Sequence, residues 1–517
     1  MKIFFQYISV VAFVVGGALA PVSAAETKYD IAIIGGRVID PETGLDAIQN
    51  VGIKGGEIVT VTTDTLSAGK VIDAKGLVVA PGFIDLHAHG QTIPAARMQA
   101  LDGVTTGLEL EAGAMPISGF YDDIAKEGRP INYGASVNWA SARIAALLDV
   151  EPDNSIEWFF SNFSNTEWQT KIATPAQLEK IDALVQEGID EGGLGVGFLL
   201  GYAPGTGRKE YYQVSEIAAK AGVPTFTHAR FLSVLEPESS FEGMGEIIQA
   251  AAGTGVHAHI VHMNSISLRD IGMIGEMVAE AQEQGLKVTT EAYPYGAGST
   301  AIGAAMFRGP NWRERIGGMT AHNFDVGGHR TTEEEFEYLQ REKPGTDSVI
   351  HFLDTEKPED QAFLDQSILF PGGVIASDGG TWLIDGKMIS SDTWPVPKEA
   401  WSHPRSAGTY SRFLRQYVRE MKAVSLVEAM RRVSYGPAHI LEDAVPQMKK
   451  KGRIQVGADA DIVIFDLATV SDKATYETPA QPSVGFKYVI VGGVPVVSGG
   501  VLDTNVLPGK PVRNQPK

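Results

Sequence analysis

Short apolar stretches alternate with amphipathic stretches through the middle of the chain, residues 82–444. The amphipathic stretches, such as PAQLEKIDALVQEGIDEG and LRDIGMIGEMVAEAQEQG, are helix-like. The apolar stretches predict strands at 83–87, 103–111, 131–138, 194–200, 223–228, 257–262, 287–293 and 373–378. Eight strands that alternate with helices predict an α/β fold, a (β/α)8 TIM barrel. The connection at 303–372 is long for one barrel loop, and it predicts an inserted lid segment.

The two ends of the chain have a different texture. Residues 26–81 contain β-type runs broken by glycine turns, such as YDIAIIGGRVID. Residues 445–517 return to this texture in KGRIQVGADADIVIFD and GFKYVIVGGVPVVSGG. We therefore expect both arms to form one small β-sandwich domain beside the barrel.

Residues 1–25 predict a cleavable signal peptide. Lys2 precedes an apolar run at 8–20, and the small residues at 22–24 mark a cleavage site. The run is short for a membrane anchor. We expect cleavage after Ala24 or Ala25 and a periplasmic or secreted protein. No later stretch is long and apolar enough to cross a bilayer, so we expect no membrane association after the signal is removed.

Charge and cysteine content narrow the choice of partner and chemistry. The formal net charge is −20 and no basic stripe offsets it, which argues against a nucleic-acid partner. The chain has no cysteine, which excludes a thiol nucleophile, a cysteine metal ligand and a lipid-anchoring cysteine.

Histidines and one aspartate stand where predicted strands end. His87 and His89 follow the first strand in VVAPGFIDLHAHG, while the fifth, sixth and eighth strands end at His228, His262 and Asp378. The C-terminal strand ends of such a barrel form one rim, so these side chains are expected to converge. A single strand-end histidine is more often an ordinary hydrogen-bonding residue. Five such residues together indicate a site for a divalent metal such as zinc.

Side-chain alternation adds a carboxylate to this set. In VTTGLELEAG, Glu109 and Glu111 share the inward face of the second strand, and buried carboxylates are costly unless they are paired or bind metal. Glu111 lies nearer the strand end and is the better ligand candidate, with Glu109 as the alternate or as a supporting group. In HAHIVH, we favour the terminal histidine as the ligand and interpret His257 and His259 as structural.

A metal held by imidazole and carboxylate groups performs hydrolysis. It lowers the pKa of water toward about 7 and polarises a carbonyl group. Asp378 is suited to act as the general base that takes the proton of the water and passes it to a leaving nitrogen.

The chain resembles the amidohydrolase superfamily, and within it the D-aminoacylase (N-acyl-D-amino-acid deacylase) group. The motifs that carry this resemblance are APGFIDLHAHG, DGVTTGLELEAG, FTHAR, HIVHMNS, EAYPYGAGST, ASDGG, HPRSAGTYSRFLRQYVRE and KGRIQVGADADIVIFD. They occur in the family's order and cover nearly all of the chain after the signal. The fold that the resemblance implies, a metal-bearing barrel beside a small β-sandwich, agrees with the fold predicted above.

The resemblance implies roles for single residues. His87 and His89 become ligands from the first strand, His228 and His262 hold the main zinc, and Asp378 becomes the catalytic acid–base. The residues that the resemblance places at the carbonyl or carboxylate of the substrate are Tyr202, Tyr293, Ser299 and Arg405. One or two zinc ions and a small-molecule N-acyl amino acid are the cofactor and partner that it implies.

The sequence differs from the family and its relatives at three places. D-aminoacylases supply a second-strand cysteine as a zinc ligand, and here Glu111 or Glu109 must replace it. Other relatives bridge two metal ions with a carboxylated lysine on the fourth strand. This chain cannot do so, because its fourth-strand segment LGVGFLLGYAPG contains no lysine. The lysine that often follows the sixth-strand histidine is Asn264 here.

The predicted function is hydrolysis of N-acyl-D-amino acids. D-Glutamate is suggested as the amino acid because of the Glu-bearing second strand. Two alternatives stay open: a cyclic-amide hydrolase of dihydroorotase or hydantoinase type, and an exported barrel that binds a ligand without turning it over. The HPRSAGTY motif weighs against the first alternative, because Arg405 offers a carboxylate grip that a ring substrate does not need.

Overall fold

The centre of the fold is an eight-stranded sheet in a computed structural model that describes residues 1, 28–162 and 165–517. Its strands are all parallel, and their hydrogen-bonding order follows their order in the chain. They are Phe83–Asp85, Val104–Ala114, Asn132–Asn138, Val196–Leu199, Thr225–His228, Ala258–Ile260, Val288–Ala292 and Val374–Ile375. A bridge between Ala88 and Gly379 joins the first strand to the last. The predicted (β/α)8 barrel is thereby confirmed. The predicted signal segment, beyond Met1, lies outside the described residues.

Helices cover the outside of the barrel and bury their apolar faces against it. The longer ones are Ile93–Leu101, Ile117–Glu127, Trp139–Leu148, Pro175–Asp190, Arg208–Ala221, Ser240–Thr254, Ile271–Glu283, Pro358–Ile368 and Arg405–Phe413. Shorter helices are Ile156–Ser161, Glu167–Thr170, Met263–Ser267, Leu426–Met430 and Gly436–Leu441, with π-helical turns at Leu414–Glu420 and Arg431–Tyr435. Short 3-10 turns lie at Leu200–Tyr202, Leu268–Asp270, Ala305–Phe307, Ala321–Asn323 and Pro446–Lys450.

Reciprocal capping boxes set where two of the longer helices begin. The side chains of Thr174 and Ser239 each accept a hydrogen bond from the backbone N–H three residues on. In return, the side chains of Gln177 and Glu242 accept hydrogen bonds from the backbone N–H groups of Thr174 and Ser239. No helix in the described part of the chain is long and apolar enough to span a bilayer.

Both arms of the chain meet in one nine-stranded sheet beside the barrel. Its strands are Tyr29–Asp40, Leu45–Lys54, Glu57–Thr62, Ala68–Asp73, Val78–Pro81, Ile462–Phe465, Phe486–Val491, Val494–Ser498 and Val501–Leu502. The first strand bulges between Ile33 and Gly36 and pairs along both halves with Leu45–Lys54. On its other edge the first half pairs with Ala68–Asp73 and the second half with Val78–Pro81. Apolar side chains of both arms, among them Ile33, Val51 and Ile464, share one buried cluster. The two arms therefore form the small β domain as one continuous sheet.

The last residues of the chain leave this sheet. The Val512 N–H donates to the carbonyl of Tyr133 at 2.7 Å, and Gly509 N–H donates to that of Arg129 at 2.8 Å. The sequence prediction placed all of 445–517 in the small domain. These backbone hydrogen bonds attach the tail to the third barrel strand instead, a contact between distant segments that no local pattern announces.

An inserted subdomain follows the seventh barrel strand. It is an antiparallel four-stranded sheet of Ala297–Ala301, Phe324–Val326, His329–Arg330 and Asp347–His351, with helices at Trp312–Arg315 and Glu333–Glu342. Phe307, Trp312, Phe324 and Phe336 pack their rings together at its centre. The sheet begins before the predicted lid boundary at residue 303, and the helix at 358–368 belongs to the barrel. A small hairpin, Leu383–Ile384 with Lys387–Met388, follows the last barrel strand.

Candidate metal centre

His87 and His89 lie directly after the first barrel strand with their Nε2 atoms 3.1 Å apart. The other nitrogen of each ring faces a carboxylate. His87 Nδ1 donates to Glu291 Oε1 at 2.5 Å, and His89 Nδ1 donates to Glu109 Oε2 at 2.7 Å. In the neutral rings both Nε2 atoms then present lone pairs to each other, and this short separation has no room for two protons. A cation bound by both lone pairs satisfies this geometry.

Glu111 lies between two pairs of histidines. Its Oε2 is 3.2 Å from His87 Nε2 and 3.4 Å from His89 Nε2. Its Oε1 is 2.8 Å from both His228 Nδ1 and His262 Nε2. One carboxylate thus faces four imidazoles, which is the position of a group that could bridge two metal ions.

The second barrel strand places the two carboxylates at different depths. Glu111 is fully surrounded by the histidines, whereas Glu109 lies behind His89, and its Oε1 accepts the Ala112 N–H at 3.2 Å. Gly197 of the fourth strand makes this packing possible, because a Cβ there would lie 2.2 Å from the carbonyl oxygen of Glu111. Of the two candidates that the sequence left open, the structure brings Glu111 among the ligands and puts Glu109 in contact with one ligand only.

Asp378 completes the cluster from the last barrel strand. Its Oδ1 is 3.5 Å from His87 Nε2, 3.4 Å from His89 Nε2 and 2.8 Å from Arg405 Nη2. The backbone of Asp378 has a φ of +51°, and that of His262 has a φ of +30°. Non-glycine residues in this region carry strain, which proteins concentrate at functional sites.

The donor atoms meet the requirements of a divalent metal. The ligand atoms of His87, His89 and Asp378 lie within 4.8 Å of one another, and so do those of His87, Glu111 and His262. Imidazole nitrogens and carboxylate oxygens without sulfur are a standard zinc donor set. The residues therefore fit one zinc ion or two that share Glu111.

Burial opposes the charged form of each group here, and the neighbouring charges decide the direction of each pKa. For His87 the carboxylates of Asp378, Glu111 and Glu291 outweigh burial and hold the pKa well above its ordinary value. Burial alone would raise the pKa of Glu111, but the neighbouring His87 and the hydrogen bonds from His228 and His262 hold it well below its ordinary value. Burial lowers the pKa of His228. The negative charge of the cluster therefore attracts cations, and protons compete with a metal for the same nitrogens.

Arg405 and Tyr293 adjoin the cluster on the side of Asp378. The guanidinium carbon of Arg405 lies 4.6 Å from the centre of the Tyr293 ring. Its Nη2 contacts Asp378, but its Nε and Nη1 are buried and have no hydrogen-bond partner among the described residues. Buried unpaired donors are costly, so an anionic group is expected to bind there.

The other two predicted substrate contacts come from the fourth barrel strand and the inserted subdomain. The ring of Tyr202 lies 5.0 Å from that of His228, and its hydroxyl shares a 2.6 Å hydrogen bond with Thr300. Ser299 donates to Asp347 Oδ1 at 3.0 Å. Tyr202 is therefore adjacent to the metal ligands, whereas Ser299 is held by a carboxylate of the inserted sheet.

The sequence analysis did not identify Glu291, which accepts the hydrogen bond of His87 Nδ1 on the side of the ring away from the cluster. The signal was present, since the seventh strand VTTEA places Thr289 and Glu291 on one face and a buried inward carboxylate needs a partner. Asn264, in the place of a family lysine, donates instead to the carbonyls of Tyr293 and Tyr295 at 3.2 and 3.3 Å.

A family profile described as the amidohydrolase family matches residues 70–155 and 176–497. The chain belongs to the amidohydrolase family. This amidohydrolase is 25% identical to the N-acyl-D-glutamate deacylase of Alcaligenes xylosoxydans xylosoxydans, over 91% of this chain and 94% of that protein. It is 24% identical to the D-aminoacylase of the same organism, over 90% and 94% of the two chains. The resemblance stated from sequence motifs is confirmed.

The fold is shared with a solved N-acyl-D-glutamate deacylase from Bordetella bronchiseptica, complexed with zinc and a phosphonate that mimics the tetrahedral intermediate. The TM-score is 0.74 at 23% identity, over 94% of this amidohydrolase and 100% of that chain. At this identity the similarity establishes the common fold.

Proposed function

We propose that this amidohydrolase is a zinc-dependent deacylase that cleaves N-acyl-D-amino acids into a free D-amino acid and a carboxylate. The observation that carries the proposal is the position of Glu111, which faces four histidines in a chain without cysteine. The names of the relatives, N-acyl-D-glutamate deacylase and D-aminoacylase, support the substrate class.

Each residue near the cluster has a task in this reaction. Zinc, when bound, makes water acidic enough to attack at neutral pH and polarises a carbonyl group. Asp378 takes a proton from the attacking water and delivers it to the leaving nitrogen. Arg405 holds the Asp378 carboxylate through Nη2 and keeps two further buried donors, Nε and Nη1, one of which can donate to the carboxylate of the substrate. Tyr202, beside His228, contacts the carbonyl oxygen.

The substrate is tested with matched pairs of compounds. N-Acetyl-D-glutamate, N-acetyl-D-leucine and N-acetyl-L-glutamate are incubated with the zinc-loaded protein, and released amine is measured. The proposal predicts hydrolysis of D-compounds over the L-compound. Among the D-compounds we expect the fastest hydrolysis for the one with an acidic side chain, because one relative is an N-acyl-D-glutamate deacylase. Turnover of dihydroorotate or hydantoin alone would instead identify a cyclic-amide hydrolase, and no turnover of any compound would favour a binding protein.

We also propose that the protein is exported to the periplasm or secreted. The apolar run at 8–20 after Lys2, followed by small residues, supports a cleavable signal. Fractionation of cells that produce the full chain tests this proposal. We expect an extracytoplasmic protein whose N-terminus begins near residue 25 or 26, and retention of the whole chain in the cytoplasm would contradict it.

A further inference from the structure

A chain of hydrogen bonds runs from the metal centre toward the N-terminal end of the barrel. Glu291 accepts from His87 at Oε1, at 2.5 Å, and from His259 Nε2 at Oε2, at 3.1 Å. The opposite nitrogen of His259, Nδ1, lies 2.9 Å from Thr289 Oγ1. The same hydroxyl lies 2.9 Å from His257 Nε2.

Two adjacent strands build this chain. His259 of the sixth strand is directly opposite Thr289 of the seventh, and alternation puts Glu291 two residues further on the same face. His87, His259 and Glu291 are buried, whereas Thr289 and His257 are half-buried. Polar groups buried at this depth destabilise the fold unless each one is hydrogen-bonded, so the chain is a built feature of the barrel.

The donors and acceptors along the chain can be assigned from the metal centre outward. The Glu291 carboxylate only accepts, so His87 carries a proton on Nδ1 and His259 carries one on Nε2. Neutral His259 then has a lone pair on Nδ1, which accepts the Thr289 hydroxyl proton. The oxygen of Thr289 in turn accepts from His257 Nε2. This order leaves the Nε2 lone pair of His87 directed at His89, Glu111 and Asp378.

We propose that Thr289 and His259 are positioning residues for the metal ligand His87. Thr289 selects the tautomer of His259, His259 orients Glu291, and Glu291 fixes the proton and the ring of His87. Partners behind a metal ligand commonly change metal affinity by about 10- to 100-fold when they are removed. The chain extends this support to the Thr289 hydroxyl, which is separated from the ligand by two hydrogen-bonding groups, Glu291 and His259. The inference rests on the zinc site of the proposed function.

The test compares Thr289→Val with Thr290→Val and Thr289→Ser. Valine keeps the shape and removes the hydroxyl, Thr290 is the buried neighbour outside the chain, and serine restores the hydroxyl. The zinc affinity of the full chain is measured by competition with a chromophoric chelator. The binding step of this titration that disappears in His89→Ala is assigned to the zinc site of His87. We expect Thr289→Val to weaken this step by about tenfold, and the other two variants to stay near wild type. Equal affinity in Thr289→Val and wild type would overturn the proposal.

A second measurement needs no variant. ¹⁵N NMR of histidine side chains in the zinc-loaded wild type is expected to show His259 with its proton on Nε2. A proton on Nδ1 of His259 would overturn the proposal even if Thr289→Val fails to fold. The zinc titrations distinguish failure of the proposed function from failure of this inference. Absence of zinc binding in the wild type contradicts the proposed function. Unchanged zinc binding in Thr289→Val contradicts only the positioning role of Thr289 and His259.

Discussion

Arg405 Nη2 lies 2.8 Å from Asp378 Oδ1, and this contact joins the residue proposed to hold the substrate to the residue proposed to move the proton. The other two donor atoms of the guanidinium, Nε and Nη1, are buried without a hydrogen-bond partner among the described residues. The pKa of Asp378 is lowered, because Arg405 and His87 outweigh the burial that would raise it. A substrate carboxylate bound at Arg405 therefore lies beside the acid–base and the metal ligands.

Arg405→Lys is expected to reduce kcat/KM for N-acetyl-D-amino acids by about 10- to 100-fold, because a lysine keeps the charge and loses the planar guanidinium that donates to Asp378 and to the substrate carboxylate at the same time. The effect should appear mainly in KM. The control substrate is the methyl ester of the same compound, which offers no carboxylate and should lose much less. Equal losses for the acid and the ester would show that Arg405 acts elsewhere than on the substrate carboxylate.

Asp378→Asn is expected to lower kcat by about 10²- to 10⁴-fold, the usual contribution of a general acid–base. The amide keeps the size of the carboxylate but cannot take a proton. Zinc content measured alongside should stay at one ion or more, because Glu111, His228 and His262 remain. A variant that keeps full turnover would exclude Asp378 from proton transfer.

Gly197→Ala is expected to disturb the metal centre by displacing the backbone of Glu111. The new Cβ would lie 2.2 Å from the Glu111 carbonyl oxygen, and strand backbone cannot move aside without shifting Glu111. We expect reduced zinc content and a lower melting temperature. Gly245→Ala is the matched control, since a Cβ there meets nothing within 4 Å and a helical alanine adds about 0.5–1 kcal/mol of stability. Normal zinc content in Gly197→Ala would contradict the packing described for the second and fourth strands.

His351 of the inserted sheet is expected to make the protein sensitive to acid. Burial, with help from Arg330, lowers its pKa from 6.5 to about 3. A depressed pKa means that the unfolded chain takes up the proton first, so this contribution to stability is present above pH 6.5 and is lost as the pH falls toward 3. Between pH 6.5 and 5 the loss is up to about 2 kcal/mol.

His351→Phe should remove this part of the acid sensitivity while keeping a ring against Tyr476, which lies 4.7 Å away. The measurement is the difference in melting temperature between pH 7 and pH 5 for the variant and the wild type. The variant should show the smaller difference. A larger or equal difference would mean that His351 is protonated in the folded state.

Most of the barrel, and the convergence of the candidate ligands, could be predicted from the sequence because both follow local rules. Strands buried on two sides read as short apolar runs, and the strand ends place His87, His228 and Asp378 on one rim. Side-chain alternation pointed to both Glu109 and Glu111. It could not choose between them, because the choice depends on how far the second strand extends past its neighbours.

Long-range contacts explain what the sequence did not show. The tail that follows the small sheet is attached to the barrel by backbone hydrogen bonds and by side chains, such as the Tyr121 hydroxyl that donates to the Val512 carbonyl at 2.6 Å. Which segments meet in this way is decided by the folded chain, so no short motif specifies it. Glu291 and His259 were visible as inward polar residues, but their joint role depends on the pairing of two strands. Charged and hydroxyl groups such as Asp347 and Ser299 meet through the register of the inserted sheet, which no short motif specifies.

The central claim is that Glu111 replaces a cysteine as the carboxylate at the heart of a zinc site. The most direct measurement is metal content by mass spectrometry of the purified wild type, Glu111→Ala and Glu109→Gln, prepared side by side. We expect zinc in the wild type, a clear loss in Glu111→Ala and near-normal zinc in Glu109→Gln. Full zinc in Glu111→Ala, or no metal in the wild type, would contradict it.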